Sequence, residues 1–466
     1  MKMWAGRFRQ PLDPEFERWQ RSFPFDRRLI DEELAASRAH ARSLASAGVL
    51  SPAELDSILP GLDEIRQQAA NPEFLQDEEA EDVHHFVEKR LAALIGEAGY
   101  KLHSGRSRNE QIATDLRLYV RRSIDNLQRC LGELLEALIA RAEKSGVAAM
   151  PSYTHLQPAE PVLVGHWLLA YIEMFFRDSG RLADCRKRLN QCPLGSGAVA
   201  GTTLPLDRAA MAADLGFDQP TANSLDATSD RDFAIEFVQA LSIMAVHLSR
   251  LAEEMMLFSA REFGFVRLPE AYSTGSSAMP QKQNADAMEL IRGKAARVIG
   301  DATSLAATVK GLPLAYNKDL QETQEPVFSA AETMQAVVSI AAGFVSAVEF
   351  DYDRMHAAAN SGFMNAMAAA HYLVARGVPF RRAHEQIGKA VQWCLEKRCE
   401  LEEMPLEELR RFAPEADQDF YLHLTLDAVL ACHNVEGGTA PVRVRQALSE
   451  ARERLAALRE EMHAHA

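Results

Sequence analysis

The sequence has little that would anchor it in a membrane or cross-link it covalently. None of its six cysteines forms a C-x-x-C pair, and their spacing suits neither a zinc site nor a disulfide framework. Met1–Arg7 lacks the apolar core of a signal peptide, and no stretch approaches the roughly 20 apolar residues of a membrane span. We therefore expect reduced thiols, a cytoplasmic location and no membrane partner.

The sequence also lacks an excess of basic residues. Its formal net charge is −15 at pH 7, and no cluster of Lys and Arg offers a footprint for a phosphate backbone. Hydrophobic residues make up 47% and charged residues 25%, which are the values of an ordinary folded protein. We expect no nucleic-acid partner, and an anionic substrate would have to be held by a few locally placed cations and hydrogen-bond donors.

Long amphipathic helices dominate the pattern of apolar residues. One apolar seam alternates spacings of four and three: Leu116, Val120, Ile124, Leu127, Leu131, Leu134 and Leu138. A second seam has the same spacing: Phe237, Leu241, Met244, Leu248, Leu251, Met255 and Phe258. The first seam predicts a helix over about 106–143, and helices of that length span roughly 40–55 Å at 1.5 Å per residue. Such lengths indicate an extended bundle with faces left for other subunits.

Alternating β-type patterns are scarce, and the other periodic stretches are helical. Further helices are predicted at about 160–190, 287–310 and 326–348, and the breaks between them are dense in turn residues. We predict an all-α fold with three regions: an N-terminal helical domain over 1–105, a central long-helix bundle over 106–355 and a small C-terminal helical domain over 356–466.

A polar loop at 272–284 combines features that catalysis requires. It reads Tyr-Ser-Thr-Gly-Ser-Ser-Ala-Met-Pro-Gln-Lys-Gln-Asn, with small hydroxyl residues, one flexible Gly, one rigid Pro and Lys282 just before a helix. By composition alone it is a linker in which Asn284 or Asp286 caps the following helix. An activated Ser would need a base or a lowered pKa, and Lys282 near a helix N-terminus would supply positive potential.

Two other segments place polar groups close to helix starts. His155, among the hydroxyl residues of 152–158, is either an ordinary loop residue or a proton carrier, because imidazole titrates near neutral pH. Arg106, Arg108 and Asn109 lie at the start of the first long helix. Free N–H groups and partial positive charge make that position poor for structural arginines and good for binding carboxylates.

Two patterns are similar to known binding motifs without meeting their requirements. His84 and His85 lie near Asp82 and Glu88, but adjacent histidines cannot share one helix face, so we assign no metal to them. Gly195–Gly201 reads G-x-G-x-x-x-G and follows a helix instead of a buried strand, so it is not a dinucleotide-binding loop. We expect neither a metal nor another cofactor.

These segments together resemble the fumarase/aspartase superfamily and, within it, the argininosuccinate lyase branch. The superfamily loop reads G-S-S-x-M-P-x-K-x-N, and Gly275 to Asn284 matches every fixed position. Lyase-type segments also appear in order: Trp4–Phe8, Lys101–Gln111, Ser152–Pro158, Asn223–Asp226, Ser229–Asp232, Gly311–Gln321 and Gly437–Pro441. The resemblance therefore covers essentially the full chain.

The resemblance implies a fold, an assembly and an activity. The fold would have three mostly helical domains, whose central five-helix bundles associate into a homotetramer with a twenty-helix core and with active sites shared between three subunits. The activity would be reversible β-elimination, in which argininosuccinate gives arginine and fumarate during arginine biosynthesis. The alternative is a related carbon–nitrogen lyase that acts on another N-substituted aspartate and releases fumarate and a different amine.

The resemblance also implies a role for each matching residue. Ser276 would be the base that takes the Cβ proton, and Lys282 with Asn284 would steady the serine oxyanion and the intermediate. His155, oriented by Glu289, would be the proton relay or the general acid at the leaving nitrogen. The matching substrate-binding positions are Ser22, Arg108, Asn109, Thr154, Tyr316, Gln321 and His84.

The chain departs from the family pattern at several positions. Gln283 and Ala285 stand where the family loop usually has Lys and Pro, and Ala5 stands where a Gly is usual. Gln324 stands where the family has a Lys that contributes to recognition of the arginine part. Loss of a charge-assisted hydrogen bond is worth roughly 1.5–3 kcal/mol. The elimination chemistry is therefore expected to persist, and the identity of the released amine is the property to test.

Overall fold

Helices make up most of the molecule. The computed structural model describes residues 10–464, and 68% of it is helical with few strands. The mainly helical class expected from the apolar periodicity is therefore confirmed. The Trp4–Phe8 segment lies outside the described residues.

Short helices form the first part of the chain. They are α1 (Pro14–Trp19), α2 (Phe23–Asp26), α3 (Ile30–Ser46), α4 (Pro52–Gln68), α5 (Val83–Ile95) and α6 (Glu97–Lys101), with a 3-10 turn at Arg27–Leu29. Ser51 starts α4 with a capping box, because its hydroxyl accepts from the Glu54 N–H and the Glu54 carboxylate accepts from the Ser51 N–H. Asp82 caps α5 by accepting from the His85 N–H at 2.7 Å.

The long helices predicted from the sequence are present in the middle of the chain. This part contains α7 (Arg108–Ser145), α8 (Val164–Leu189), α9 (Arg208–Asp214), α10 (Ser224–Ala227), α11 (Asp232–Ser259), α12 (Asp286–Val309) and α13 (Gln324–Ala347), with a 3-10 turn at Lys318–Thr323. Every residue of the two predicted seams, on α7 and α11, is buried. The seams are thus the core-facing sides of these helices, as their spacing predicted.

The C-terminal helices have an apolar core of their own. They are α14 (Tyr352–Ala359), α15 (Ala366–Ala375), α16 (Phe380–Lys397), α17 (Leu406–Phe412), α18 (Leu426–Cys432) and α19 (Pro441–Ala464), with 3-10 turns at Leu401–Glu403 and Gln418–His423. Leu373, Ile387, Leu401, Leu409 and Phe420 are all buried in one cluster.

The strands are short and pair only two at a time in the described residues. They are β1 (Ala149–Thr154), β2 (Gln157–Leu163), β3 (Gln191–Cys192), β4 (Gln219–Pro220), β5 (Val266–Arg267), β6 (Thr274–Gly275), β7 (Gln283–Asn284) and β8 (Glu349–Phe350). The β1–β2, β5–β8 and β6–β7 pairs are antiparallel, and the β3–β4 pair is parallel. The β1–β2 hairpin is a difference from the sequence reading, which had a loop at 152–158 and a helix from about 160.

The described residues form two compact units. Unit one comprises the residues up to Asn126 together with Gly180–Ser242 and Arg297–Met334, and unit two comprises Leu127–Ser179, Ile243–Ala296 and the residues from Gln335 onward. In unit one, Phe23 stacks on Phe86 with ring centroids 4.8 Å apart. In unit two, Tyr153 packs against Phe258 and Phe263 at 5.8 and 5.6 Å. These units do not follow the three predicted regions, whose boundaries stay a prediction.

Two helical segments are long and apolar enough to cross a membrane by length and composition, namely Asp232–Ser259 and Lys318–Ala347. The sequence expectation that no stretch comes near a membrane span is therefore too strong. Within these segments 50% and 61% of the apolar window is buried inside the protein, which is also typical of the core helices of a folded protein.

Candidate active site

The predicted site residues divide between the two units. Unit one contains Ser22, His84, Arg108, Asn109, Tyr316 and Gln321. Unit two contains Thr154, His155, Ser276, Lys282, Asn284 and Glu289. Most residues expected to bind the substrate thus lie in one unit, and the residues expected to move protons lie in the other.

The predicted catalytic loop is a tight hairpin in unit two. Its strands β6 and β7 pair antiparallel, with Thr274 opposite Asn284. The Thr274 hydroxyl donates to the Asp286 carboxylate at 2.7 Å and accepts from the Asn284 side-chain amide at 3.4 Å. Asn284 is therefore held beside the strand that leads into Ser276, directly before α12.

The Ser276 side chain accepts hydrogen bonds from the backbone of its own loop. Its hydroxyl oxygen receives the N–H groups of Ala278 at 3.2 Å and Met279 at 3.1 Å. Hydrogen bonds to an oxygen that gains negative charge favour its charged form. The two donors therefore favour the alkoxide that a serine base needs, in the manner of an oxyanion hole.

Lys282 and Glu289 are both exposed. The Lys282 backbone N–H donates to the Met279 carbonyl oxygen at 3.0 Å, which closes the loop. Glu289 lies in the first turn of α12. No hydrogen bond among the described residues joins Glu289 to His155, so the pairing that the family resemblance implies stays a prediction.

His155 is at the tip of the β1–β2 hairpin. Thr154 pairs with Gln157, so His155 and Leu156 form a two-residue turn in which φ is 54° and 58°. Such turns usually use Asn and Gly, because a positive φ costs other residues about 1–2 kcal/mol each. Backbone strain of this kind concentrates at functional sites. The turn leaves both Thr154 and His155 exposed.

In unit one, a buried carboxylate fixes Ser22. The Ser22 hydroxyl donates to Asp26 Oδ2 at 2.6 Å, and the Val83 backbone N–H donates to Asp26 Oδ1 at 3.1 Å. The Ser22 backbone N–H donates to the Glu81 carbonyl oxygen at 3.0 Å. Asp26 therefore joins the segment that carries Ser22 to the start of α5.

Arg108 begins α7, as the sequence predicted, and its guanidinium already has carboxylate partners. Nη1 donates to Asp82 Oδ2 at 2.9 Å and to Glu81 Oε2 at 3.3 Å. The Ser107 backbone N–H donates to Glu110 Oε1 at 3.0 Å, which caps the same helix start. A substrate carboxylate that binds Arg108 would therefore have to add to these two acidic groups or displace them.

The Gly195–Gly201 segment supports the start of α7. The Gly197 N–H donates to Glu110 Oε2 at 2.9 Å, and the Asn109 side-chain amide donates to the Ala198 carbonyl oxygen at 3.3 Å. Gly197 has φ of 60°, and a Cβ there would lie 3.0 Å from the Gly201 carbonyl oxygen. Sequence reasoning left this segment without a role, and the structure shows that it positions Asn109.

Tyr316 and Gln321 lie between α12 and α13. The Asn317 side-chain amide donates to the carbonyl oxygens of Pro313 at 3.1 Å and Ala315 at 3.2 Å, which fixes the turn before Tyr316. The Gln321 side-chain amide donates to the Gln20 carbonyl oxygen at 3.2 Å. Gln321 is thereby attached to the segment that carries Ser22.

Three carboxyl groups act on Tyr316. Burial raises the pKa of Tyr316, and the charges of Asp82, Asp26 and Glu81 raise it further, while Arg231 opposes them. Since Asp82 also binds Arg108 and Asp26 also binds Ser22, the structure brings Ser22, Arg108 and Tyr316 around one set of carboxylates.

His84 lies in a buried charge network centred on Glu33. His84 Nδ1 is 2.7 Å from Glu33 Oε2, the Ser37 hydroxyl donates to Glu33 Oε1 at 2.7 Å, and the Gln111 amide donates to Glu33 at 3.3 Å. Arg106 Nη2 is 3.5 Å from Glu33 Oε1. The sequence reading had no role for Glu33, because its partners are far away along the chain.

The charges of this network are set by burial and by contact. Burial alone would raise the pKa of Glu33, but the charges of His84 and Arg106 hold it well below its ordinary range. Burial, and then the charge of Glu33, raise the pKa of Asp115 well above its ordinary value.

The same network has ligand types that a divalent metal accepts. Oxygen and nitrogen atoms of Glu33, His84 and Asp115 lie within 4.8 Å of one another. The guanidinium of Arg106 already neutralises Glu33 and would repel a second cation. We assign no metal to this group, and the absence of a metal requirement stays a prediction.

Asp26 links the candidate site to the pH dependence of stability. Burial, and then the charge of Asp82, raise the pKa of Asp26 from 3.8 to about 7. Between these values the folded state holds a proton that the unfolded state has lost, so the contribution of Asp26 to stability falls as pH rises through this window. We expect the parent to lose about 2–4 kcal/mol relative to Asp26→Asn between pH 4.5 and 7.5, measured by urea unfolding.

Asp31→Asn is the control for this measurement. The Asp31 side chain is 49% exposed, so its replacement should change the difference between parent and variant much less over the same pH range. If the difference in unfolding free energy between parent and Asp26→Asn stays constant from pH 4.5 to 7.5, the raised pKa of the buried Asp26 is contradicted.

Comparison with known proteins adds independent findings on the whole chain. Residues 6–300 match the Lyase family, and residues 363–431 match the Argininosuccinate lyase C-terminal family. The chain is 61% identical to argininosuccinate lyase of Koribacter versatilis over 100% of both chains. It is 57% identical to argininosuccinate lyase of Acidobacterium capsulatum over 96% of this chain and 93% of that relative.

A solved structure supports the fold. A variant of EDDS lyase with bound fumarate superposes with a TM-score of 0.85, covering 98% of this chain and 93% of that chain. The two sequences are 24% identical, so this likeness concerns the fold alone.

Proposed function

The chain belongs to the argininosuccinate lyase family, and we propose that it catalyses the reversible β-elimination of argininosuccinate to arginine and fumarate. The observation that carries the proposal is the full-length relationship to argininosuccinate lyases, which includes the C-terminal family. The position of Ser276, whose hydroxyl oxygen accepts two backbone N–H groups inside the family loop motif, supports the same reaction.

The chemical difficulty of this reaction is the weak acidity of a C–H bond beside a carboxylate. Ser276 takes the Cβ proton, the electron pair spreads into the neighbouring carboxylate, and cleavage of the Cα–N bond then releases fumarate and arginine. A serine oxygen accepts this proton only as an alkoxide, which needs positive potential and exclusion of water. The N–H groups of Ala278 and Met279 provide part of that stabilisation.

Lys282, Asn284 and His155 complete the proton-transfer group. Lys282 and Asn284 steady the serine oxyanion and the charge on the intermediate, and the exposed position of Lys282 leaves its ammonium available to a ligand. His155, oriented by Glu289, acts as the proton relay or as the general acid at the leaving nitrogen. The strained turn at His155 supports a functional use of this residue.

Most of the residues that we propose bind the substrate belong to unit one. Arg108 binds a carboxylate of the substrate, and its place at a helix N-terminus adds free N–H groups and positive potential. The other substrate-binding residues are Ser22, Asn109, Thr154, Tyr316, Gln321 and His84. Among them His84 is buried, and its Nδ1 is 2.7 Å from Glu33 Oε2.

We further propose a cytoplasmic homotetramer of three-domain chains with a twenty-helix core, in which each active site combines segments of three subunits. The long helices keep exposed apolar side chains beside their buried seams, among them Ile243 and Val246 on α11, Leu290 on α12 and Ile340 on α13. Exposed apolar groups on long helices are typical of subunit interfaces. Isolated protomers should therefore be inactive.

A second candidate function is release of fumarate with a different amine. The observation that favours it is Gln324, which is buried and whose Oε1 has no hydrogen-bond partner among the described residues. Where the family has a cationic Lys, this chain thus offers a neutral acceptor. An acceptor of this kind suits an N–H donor of the amine half, so the choice of amine has to be measured.

One preparation of the tetramer tests both candidates. Fumarate release is followed with argininosuccinate and with N-substituted aspartates that carry other amines, and specificity is the ratio of kcat/KM values. We expect argininosuccinate to exceed each competitor by at least about 100-fold. A larger kcat/KM with another amine would establish the second candidate. Absence of fumarate release from argininosuccinate by a folded tetramer would rule out the first.

Gln324→Lys is the matched variant for the amine question. It restores the family residue at one position and leaves the loop around Ser276 unchanged. If Gln324 sets the choice of amine, the ratio of kcat/KM values should change while the proton-transfer steps are preserved.

A further inference from the structure

Arg231 is a buried guanidinium that forms no ion pair with any described residue. Its side chain is 1% exposed. Nη1 donates to the carbonyl oxygen of Asp230 at 2.7 Å, while Nε and Nη2 are buried and have no hydrogen-bond partner in the part of the chain that the structure describes. Buried charges are normally paired, because removing an unpaired ion from water is costly. Arg231 therefore points to an anionic group that does not come from its immediate neighbours.

The carboxylate of the preceding residue, Asp230, forms its ion pair with another arginine. Asp230 forms an ion pair with Arg117 Nη2, and its Oδ1 accepts from the Asp232 backbone N–H at 2.7 Å. Two guanidinium groups thus depend on one carboxylate, which pairs directly with Arg117 and reaches Arg231 only as a nearby charge. The group of Arg117, Asp230 and Arg231 therefore has an excess of positive charge, and Arg231 is its member without an ion pair. Burial lowers the pKa of Arg231 to about 10, which leaves the group charged at neutral pH.

The excess charge of Arg231 acts on Tyr316. Each of the two groups contributes to the electrostatic surroundings of the other. No residue in the described part of the chain forms a hydrogen bond with the Tyr316 hydroxyl. Asp26, Asp82 and Glu81 approach the phenol with negative charge. Arg108 offsets part of the charge of Asp82 and Glu81, and Arg231 adds positive charge that acts directly on Tyr316.

We propose that Arg231 is a positioning residue for substrate recognition, whose unneutralised charge strengthens the hydrogen bond that the Tyr316 hydroxyl donates to a substrate carboxylate. The proposal rests on the proposed function, since it takes Tyr316 to face the substrate. A nearby cation makes a phenol a better donor, and a bond to a charged acceptor is stronger than one to a neutral acceptor. The ligand class is the carboxylate of an amino acid or of a dicarboxylate.

Arg121 shows what a structural arginine does in the same unit. Its Nη1 donates to the Gly216 carbonyl oxygen at 2.9 Å, and its Nη2 donates to the Leu215 carbonyl oxygen at 2.6 Å. Arg121 uses both terminal nitrogens to hold the backbone, whereas Arg231 leaves Nε and Nη2 without a partner among the described residues. Arg121→Gln is therefore the matched control for loss of a guanidinium in unit one.

The test measures binding of two ligands that do not react, L-arginine and succinate, to the full-length tetramer by titration calorimetry. We expect Arg231→Gln to weaken binding of at least one of them tenfold or more, and Arg231→Lys to stay within about threefold of the parent. The ligand that loses affinity identifies the half of the substrate that Tyr316 contacts. Arg121→Gln should lower the melting temperature without changing either affinity.

A double-variant cycle separates the positioning role from a structural one. In the Tyr316→Phe background, Arg231→Gln should weaken binding by less than about twofold more, because both residues act through the same hydrogen bond. Unchanged affinity of Arg231→Gln for both ligands would overturn the proposal, and so would losses that multiply in the double variant. If Arg231→Gln does not fold, Arg231→Met provides the second neutral variant, and parent-like affinity there has the same meaning.

Fumarate release by the parent is recorded on the same preparation. If the parent releases none from argininosuccinate but the binding pattern holds, the proposed function fails and the inference on Arg231 stands. If the parent releases fumarate and the neutral Arg231 variants bind both ligands normally, only the inference fails.

Discussion

Replacing Ser276 by Ala is expected to lower kcat for fumarate release by at least about 1,000-fold, with KM changed by less than about threefold. The substitution removes the oxygen that takes the Cβ proton and leaves the shape of the loop intact. The N–H groups of Ala278 and Met279 lose an acceptor, but both residues are exposed and can bond water instead. The loss should therefore appear in the chemical step and not in folding, and steady-state kinetics of fumarate release with a thermal melt would show it.

Ser277→Ala is the matched control, because Ser277 is the neighbouring hydroxyl in the same loop and is exposed. Its kcat should stay within about twofold of the parent value. Parent-like turnover by Ser276→Ala would mean that another group is the base. Equal losses in both variants would instead show that the loop requires its hydroxyls for folding.

The helical part of the fold was readable because its information is local. An apolar residue every three or four positions marks one face of a helix, and all the seam residues on α7 and α11 are buried in the structure. The length of each seam also predicted the length of its helix, because an apolar pattern that continues over several turns leaves no room for a loop. The five long helices were therefore predicted with ends that differ from the structure by a few residues.

The β1–β2 hairpin was not predicted, because its residue types are unfavourable for strands and for a tight turn. Pro151, Pro158 and Pro161 lower the strand propensity of this segment, and the turn at His155 and Leu156 has neither Asn nor Gly. The positive φ at both turn residues is held by the surrounding structure, in which Tyr153 packs on Phe258 and Phe263. Only tertiary contacts reveal such a turn.

The family motif indicated which residues to examine but not what holds them. The pairing of Arg108 with Asp82, and the hydrogen bond from Gln321 to the Gln20 carbonyl oxygen, join segments that are far apart along the chain. One signal for the Glu33 network was nevertheless present. Glu33, Ser37 and His40 recur at spacings of four and three along α3, and all are fully buried. Polar residues at the spacing of an apolar seam predict a buried network.

Replacing Glu33 by Ala is expected to lower the free energy of unfolding by about 3–5 kcal/mol, because it removes the counter-ion of a buried network. His84 and Arg106 would remain in the interior without the carboxylate that they share. The Ser37 hydroxyl and the Gln111 amide would lose their acceptor as well. Urea unfolding at neutral pH, followed by circular dichroism, measures the change.

The exposed ion pair between Arg28 and Glu332 provides the comparison within the same unit. Its atoms are 2.7 Å apart, as close as those of Glu33 and His84, but its side chains are 41% and 55% exposed. Glu332→Ala should therefore cost only about 0–1 kcal/mol, because water replaces the lost partner. If both substitutions lower the free energy of unfolding equally, burial is not the reason why the Glu33 network stabilises the fold. A large cost for Glu33→Ala alone would mean that this network holds α3, α5 and the start of α7 in place, and with them the segment that presents Arg108.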